Sequence, residues 1–252
     1  MSESAGKGAV ITGAGRGIGL ACARLMAQRG GSVILLGHDR ELLQGADETF
    51  RTEKLNAAAI VADISVEAEV ADAIKRAREI LGSIDVMVNN AAVQPYGTVA
   101  SKEPAAWDHV IGLNLRWTYP ACHHALPHMV KAGRGSIVNI SSVQALANQA
   151  RVAAYATSKG GILAFARSIA VDFGFAGIRA NAVCPGCIDA PMTRFSATET
   201  APGREDEIIR DGARRSLSVG SGGRKRWRRS SRFLRATERT SAPAPNSRST
   251  AA

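Results

Sequence analysis

Tyr155 and Lys159 stand four residues apart in Tyr155-Ala-Thr-Ser-Lys159. On a helix that spacing puts both side chains on one face. A phenol with a pKa of about 10 is a poor base at neutral pH. A neighbouring ammonium stabilises the phenolate and lowers that pKa. Such a tyrosine can exchange a proton with a substrate hydroxyl or carbonyl. Taken in isolation, the pair would read as an interfacial tyrosine and a solvated lysine, so the surrounding elements have to decide.

A second feature lies near the N-terminus. TGAGRGIG at 12–19 follows the apolar stretch 8–12 and opens a helix-length segment. Glycines let a backbone turn sharply and approach a pyrophosphate closely. The helix start offers free N–H groups and the positive end of its dipole. Gly13, Gly17 and Gly19 give Gly-x-x-x-Gly-x-Gly and not the commoner G-x-G-x-x-G. Between a first strand and a first helix, this turn points to a dinucleotide.

The chain has 252 residues, enough for one large α/β domain or two small ones. Short apolar runs at 8–12, 32–36, 58–62, 84–89, 136–140 and 178–183 read as strands. Amphipathic stretches at 17–29, 40–55, 67–81, 107–132 and 155–173 read as helices between them. Continuous apolar strands alternating with helices imply a parallel sheet covered on both faces. Right-handed crossovers then give an α/β, Rossmann-type, doubly wound fold. That domain is expected over 1–217.

The formal net charge is +10, but residues 1–213 hold equal numbers of acids and bases. The excess lies in 214–252, where Glu238 is the one acid. From 218 on, the composition is rich in Arg, Ser and Pro without apolar period, and disorder is expected. The four cysteines do not suggest a disulfide framework in a chain of this length. Cys184-Pro-Gly-Cys187 reads as an incidental loop pair. The N-terminus lacks the regions of a signal peptide, and no run reaches membrane-spanning length. A cytoplasmic protein is expected. His123, His124 and His128 have no accompanying Cys or carboxylate, so no metal site is expected there.

Seven pieces in order resemble the short-chain dehydrogenase/reductase family over roughly 7–215. They are TGAGRGIG, Asp63-Ile64, Asn89-Asn90-Ala91-Ala92, Asn114, Ser141-Ser142, Tyr155 with Lys159, and Asn181-Ala-Val-Cys-Pro-Gly186. The resemblance implies interconversion of a secondary alcohol and a ketone by hydride transfer with NAD or NADP. It makes Tyr155 the general acid/base, supported by Lys159. It selects Ser142, thirteen residues before the tyrosine, to hold the substrate oxygen, and Asn114 to support a water relay to the lysine. The cofactor would meet Gly13, Arg16, Gly17, Ile18 and Gly19 at the phosphates, Asp63 and Ile64 at the adenine and Asn90 at a ribose. Pro185, Gly186 and Ile188 would approach the nicotinamide. The family often has Thr where this chain has Ala190, so one hydrogen bond to the cofactor is expected to be missing. At the end of the second strand Gly37 takes the place of the usual acid. Arg16 and His38 could accept a 2′-phosphate, which favours NADP over NAD.

The family continues with a helix, a Gly-rich turn and a seventh strand, none of which is visible after 217. A GC-rich back-translation from Ser218, read in another frame, gives GRIGRPEEVAAVVA and later TGAELAVDGG, both similar to the family's usual C-terminus. An altered reading frame is therefore the expected origin of the tail. Its consequences would be a sheet without its usual last strand, lower stability and reduced turnover. Three further expectations follow: a small-molecule carbonyl or alcohol substrate, a homodimer or homotetramer, and no membrane. Two competing readings differ. One is nucleic-acid binding through RKRWRR at 224–229; the other is an inactive relative that acts by assembly.

Overall fold

The computed structural model describes residues 4–217, with side chains for 4–213. The tail, its basic run and any seventh strand lie outside the described residues. Six strands form one parallel sheet: β1 (Gly8–Thr12), β2 (Ser32–Gly37), β3 (Ala57–Val61), β4 (Val86–Asn89), β5 (Gly135–Ile140) and β6 (Ile178–Val183). Their spatial order is β3-β2-β1-β4-β5-β6. The chain winds outward from β1 on one side and from β4 on the other. A crevice opens where such an order reverses, beyond the C-terminal ends of the central strands.

The helices are α1 (Gly17–Gln28), α2 (Arg40–Thr52), α3 (Glu67–Leu81), α4 (Pro104–Ile111), α5 (Thr118–Ala132), α6 (Ala153–Phe173), α7 (Pro191–Thr200) and α8 (Glu205–Leu217). Period-two alternation splits the strands between two cores. Ala9, Ile11, Val33, Leu35, Val86 and Val88 pack under α1 and α2. Val10, Ile34, Leu36, Met87 and Ile137 face α3 and α5. Each large side chain so buried contributes about 1.5–3 kcal/mol. Those twin cores fix the strand ends that carry the site.

Two expectations are corrected. The helix read over 107–132 starts at Pro104, which sits in its first turn where a missing N–H costs nothing. It is also interrupted by a π-helical turn over Gly112–Arg116, where Trp117 N–H donates to Gly112 O at 3.2 Å. The stretch 192–210, outside every helix expected above, forms most of α7 and α8.

Asp85 holds the N-terminal end of the sheet together. Its carboxylate accepts from Gly8 N at 3.0 Å, Ser83 Oγ at 2.6 Å and Arg134 Nε at 2.9 Å. Burial raises its pKa, but the contacts with Ser83, Gly8 and Arg134 outweigh that, and the net value is lowered from 3.8. The stabilisation is therefore complete above the unfolded pKa and is lost as the pH falls through the folded one. Asp85→Ala orphans a buried backbone N–H and is expected to cost about 1–3 kcal/mol. Urea unfolding at pH 7 and at pH 3 checks both: the gap between wild type and variant should shrink in acid.

Candidate active site

The glycine turn connects β1 to α1. Gly13 and Gly17 have φ of 63° and 61°, a region other residues avoid. Gly19 is buried, and a Cβ there would lie 2.3 Å from Gly13 O. The N-terminus of α1 has neither a side-chain cap nor an acid in its first turn. Its N–H groups and dipole therefore face the crevice. This cradle of uncapped N–H groups and missing Cβ atoms fits a dinucleotide pyrophosphate.

Asn90 fixes the turn from β4. Its Nδ2 donates to Thr12 O and Gly13 O, each at 3.1 Å, and its backbone N–H donates to Thr12 Oγ1 at 3.0 Å. The amide expected at a ribose is thus committed to the glycine turn, although Asn90 also lines the cleft.

The cleft encloses ≈ 270 Å³. It gathers Gly13, Arg16, Gly17 and Ile18 from the turn, His38 from β2's end, and Ile64 from β3's end. Tyr155 and the loop residues Pro185, Gly186 and Ile188 close the other side. Four buried residues among those expected are not part of this lining, although Ser141, next to Ser142, is. Gly19 lies beneath the turn, and Ser142, Lys159 and Asn114 are buried. Asp63 is exposed beyond Ile64, and its carboxylate accepts from Ser65 N at 2.7 Å. That hydrogen bond, together with the nearby His38, lowers its pKa.

The residues expected to be catalytic are close-knit. Ser142 lies near enough to the Tyr155 phenol to pull its pKa down, and its Oγ accepts from Gln144 N at 3.2 Å. Ser141 instead donates to Lys159 O at 2.8 Å, which leaves Ser142 as the serine at the phenol. Lys159 Nζ donates to Ile140 O at 2.7 Å and lies 5.6 Å from the Tyr155 ring centre. The expected lowering of the phenol pKa by the ammonium is not the net result. Burial pushes Tyr155 above its ordinary value, against the pull of Ser142. Burial likewise lowers Lys159 from 10.5 to about 7.

Lys159 predicts a pH dependence of stability. Below pH 7 both states are protonated and the cost of the buried charge is fully present. As the pH rises from about 7 to 10.5, the unfolded chain holds a proton that the native chain has shed. Stability should then rise, by about 1.4 kcal/mol per pH unit from this group. Comparing wild type with Lys159→Met between pH 7 and 9 should show the slope only in wild type.

Asn114 sits in the π-helical turn, a device often found at functional sites. Its Oδ1 accepts from Val93 N at 2.8 Å, and its Nδ2 donates to Val93 O at 2.9 Å and Ser158 Oγ at 3.1 Å. Ser158 Oγ in turn donates to Tyr155 O at 2.6 Å. The Asn114 side chain therefore holds the Val93 backbone and, through Ser158, the carbonyl of Tyr155.

The model of the short chain dehydrogenase family matches residues 7–201. The chain belongs to that family. It is 39% identical to 2-(R)-hydroxypropyl-CoM dehydrogenase of Xanthobacter autotrophicus over 208 residues, 80% of this chain and 81% of the relative. It is also 39% identical to cis-4-hydroxycyclohexanecarboxylate dehydrogenase of Sinomonas cyclohexanicum, over 73% of this chain and 74% of the relative. Among solved structures, levodione reductase superimposes with a TM-score of 0.84 at 29% identity, covering 91% of this chain and 90% of that one.

This short chain dehydrogenase is therefore an NAD(P)-dependent oxidoreductase of the alcohol/ketone type. Among the described residues no helix is long and apolar enough to cross a membrane. Ala190, where the family often has Thr, is the N-cap of α7 with φ −146° and ψ 163° and has no side chain to cap with. Ala190→Thr is expected to stabilise the dehydrogenase by about 0.5–2 kcal/mol. Thermal unfolding checks this.

Sequence reasoning missed Gln94, Tyr96, Gln144 and Gln149, a hydrogen-bonded group whose Tyr96 packs in the cluster that holds Tyr155. They come from two loops with no periodic pattern. The one signal was their polarity beside the Ser142 and Asn90 motifs.

Proposed function

We propose that this dehydrogenase interconverts a secondary alcohol and a ketone with Tyr155 as general acid/base and NADP as the favoured cofactor. The observation that carries the reading is the Ser142–Tyr155 contact at the mouth of a glycine-cradled cleft. The nicotinamide supplies or removes the hydride. Tyr155 gives its proton to the substrate oxygen or takes one from it. Its raised pKa makes it the donor at neutral pH in the reducing direction. Ser142 holds the same oxygen and stabilises charge developing on it. Lys159, near its own titration point at neutral pH, exchanges protons behind the phenol. Asn114 and Ser158 keep the tyrosine's turn in place.

The preference for NADP is supported by Arg16 and His38, which both line the cleft where a 2′-phosphate would lie. Asp39, the nearest carboxylate in sequence, also lines the cleft, but its carboxylate caps α2 by accepting from Leu42 N at 3.0 Å. Equilibrium fluorescence titration with NADPH and NADH tests this reading. NADPH should bind more tightly, and Arg16→Ala should remove the difference. Tighter NADH binding would overturn it.

The substrate is a small alcohol or carbonyl compound. A homodimer or homotetramer is supported by apolar side chains left exposed on the outer helices, including Tyr119 and Val171. Four free cysteines fit a reducing, cytoplasmic setting.

A further inference from the structure

A chain of glutamine amides runs from Ser142 to Tyr96, beside the cleft, and its polarity is fixed by one backbone group. Gln149 N–H, which can only donate, gives its hydrogen to Gln144 Oε1 at 2.7 Å. Gln144 must then donate through Nε2, and it does so to Gln149 Oε1 at 3.1 Å. Gln149 Nε2 is left to donate to Tyr96 Oη at 2.8 Å. Gln94 Nε2 approaches the same oxygen at 3.4 Å. A phenol has two acceptor positions and one hydrogen to give. Gln149 Nε2 fills one acceptor position of Tyr96, so the Tyr96 O–H hydrogen is not given to Gln149.

Tyr96 is half-buried and packs with Met192 against Val152 and Tyr155. A parallel bridge between Gly97 and Val152, with Gly97 N donating to Arg151 O at 2.7 Å, ties its loop to the start of α6. Its neighbour Gln94 lines the cleft. Gln144 thus serves two hydroxyls. Its N–H occupies an acceptor position of Ser142, and its side chain begins the relay that occupies Tyr96.

We infer that Tyr96 is a specificity-determining donor, oriented by Gln144 and Gln149, that recognises a second, uncharged oxygen on the substrate near the reacting carbon. The favoured substrate class is then a hydroxyketone, diketone or diol, and not a monofunctional alcohol. The inference rests on the proposed reading of the cleft.

The test compares 2-hydroxycyclohexanone with cyclohexanone on the full chain saturated with NADPH. Turnover and calorimetric binding in the presence of NADP are both measured. Wild type should favour the hydroxyketone by about 10- to 100-fold, the discrimination that one satisfied hydrogen bond supplies. Tyr96→Phe should bring that ratio close to one. Gln149→Glu offers an acceptor in place of the donor, draws the Tyr96 hydrogen into the network, and should also lower the ratio. Equal handling of the two probes by wild type, or an undiminished ratio in Tyr96→Phe, overturns the inference. A preserved binding ratio without turnover of either probe would count against the catalytic reading and leave the recognition by Tyr96 standing.

Discussion

Tyr155→Phe lowers kcat for reduction of a ketone by about 10²- to 10⁴-fold, the usual worth of a positioned proton donor. The substitution removes a single oxygen. The ring remains packed against Val152 and Tyr96, so the wall of the cleft persists. Its interaction with Ser142 is lost with the oxygen. Cofactor binding should fall far less than turnover, because the glycine cradle and the uncapped start of α1 are untouched. Steady-state oxidation of NADPH, measured beside a binding titration, separates the two. A variant that kept more than a tenth of wild-type kcat would remove Tyr155 from the chemistry.

Gly19→Ala abolishes cofactor binding over the useful concentration range. A methyl at this position would lie 2.3 Å from Gly13 O and 2.6 Å from Asn90 Nδ2. Those two atoms are themselves bonded at 3.1 Å, so the methyl would wedge apart the contact that shapes the turn. One neighbour is backbone and cannot swing away. Overpacking of this kind costs about 1–3 kcal/mol of stability. Displacement of the turn should weaken NADPH by about 100-fold, the equivalent of about 2.7 kcal/mol. Gly45→Ala is the control. Nothing lies within 4 Å of a Cβ there, and the position is an exposed turn of α2. It should stabilise the protein by about 0.5–1 kcal/mol and leave binding alone.

The strands were legible because burial on both faces demands continuous apolar runs. β1 and β6 were bounded correctly by that rule. The helices α1, α2, α3 and α6 were legible from their periods and from Gly and Pro signals at their ends. α7 and α8 were not. Ala197 is the one fully buried residue of α7, so tertiary packing left little apolar period to read. The π-helical turn was hidden because Gly112–Arg116 has no composition that distinguishes it from the α-helices on either side.

Within the candidate site, Tyr155, Lys159 and the glycines stood out in the sequence because the proposed chemistry needs those residue types at short spacings. The surroundings that set their behaviour were not. The direction of the Tyr155 shift follows from burial under loops that fold in from 93–99 and 142–152. The Asn114 clamp depends on a backbone partner, Val93, that carries no side-chain signal. The Tyr96 network spans residues some fifty positions apart, on loops that the Gly97–Val152 bridge holds together. The glutamines became informative once their donors and acceptors could be traced.

The most direct measurement is hydride transfer itself. The full chain is incubated with a ketone and NADPH deuterated at the transferable nicotinamide position, and the product alcohol is analysed by mass spectrometry and NMR. One deuterium on the carbinol carbon is the expected result, with the signal lost in Tyr155→Phe. NADPH that binds in the cleft without passing deuterium to any ketone in a panel including 2-hydroxycyclohexanone, or transfer that persists undiminished in Tyr155→Phe, would contradict it.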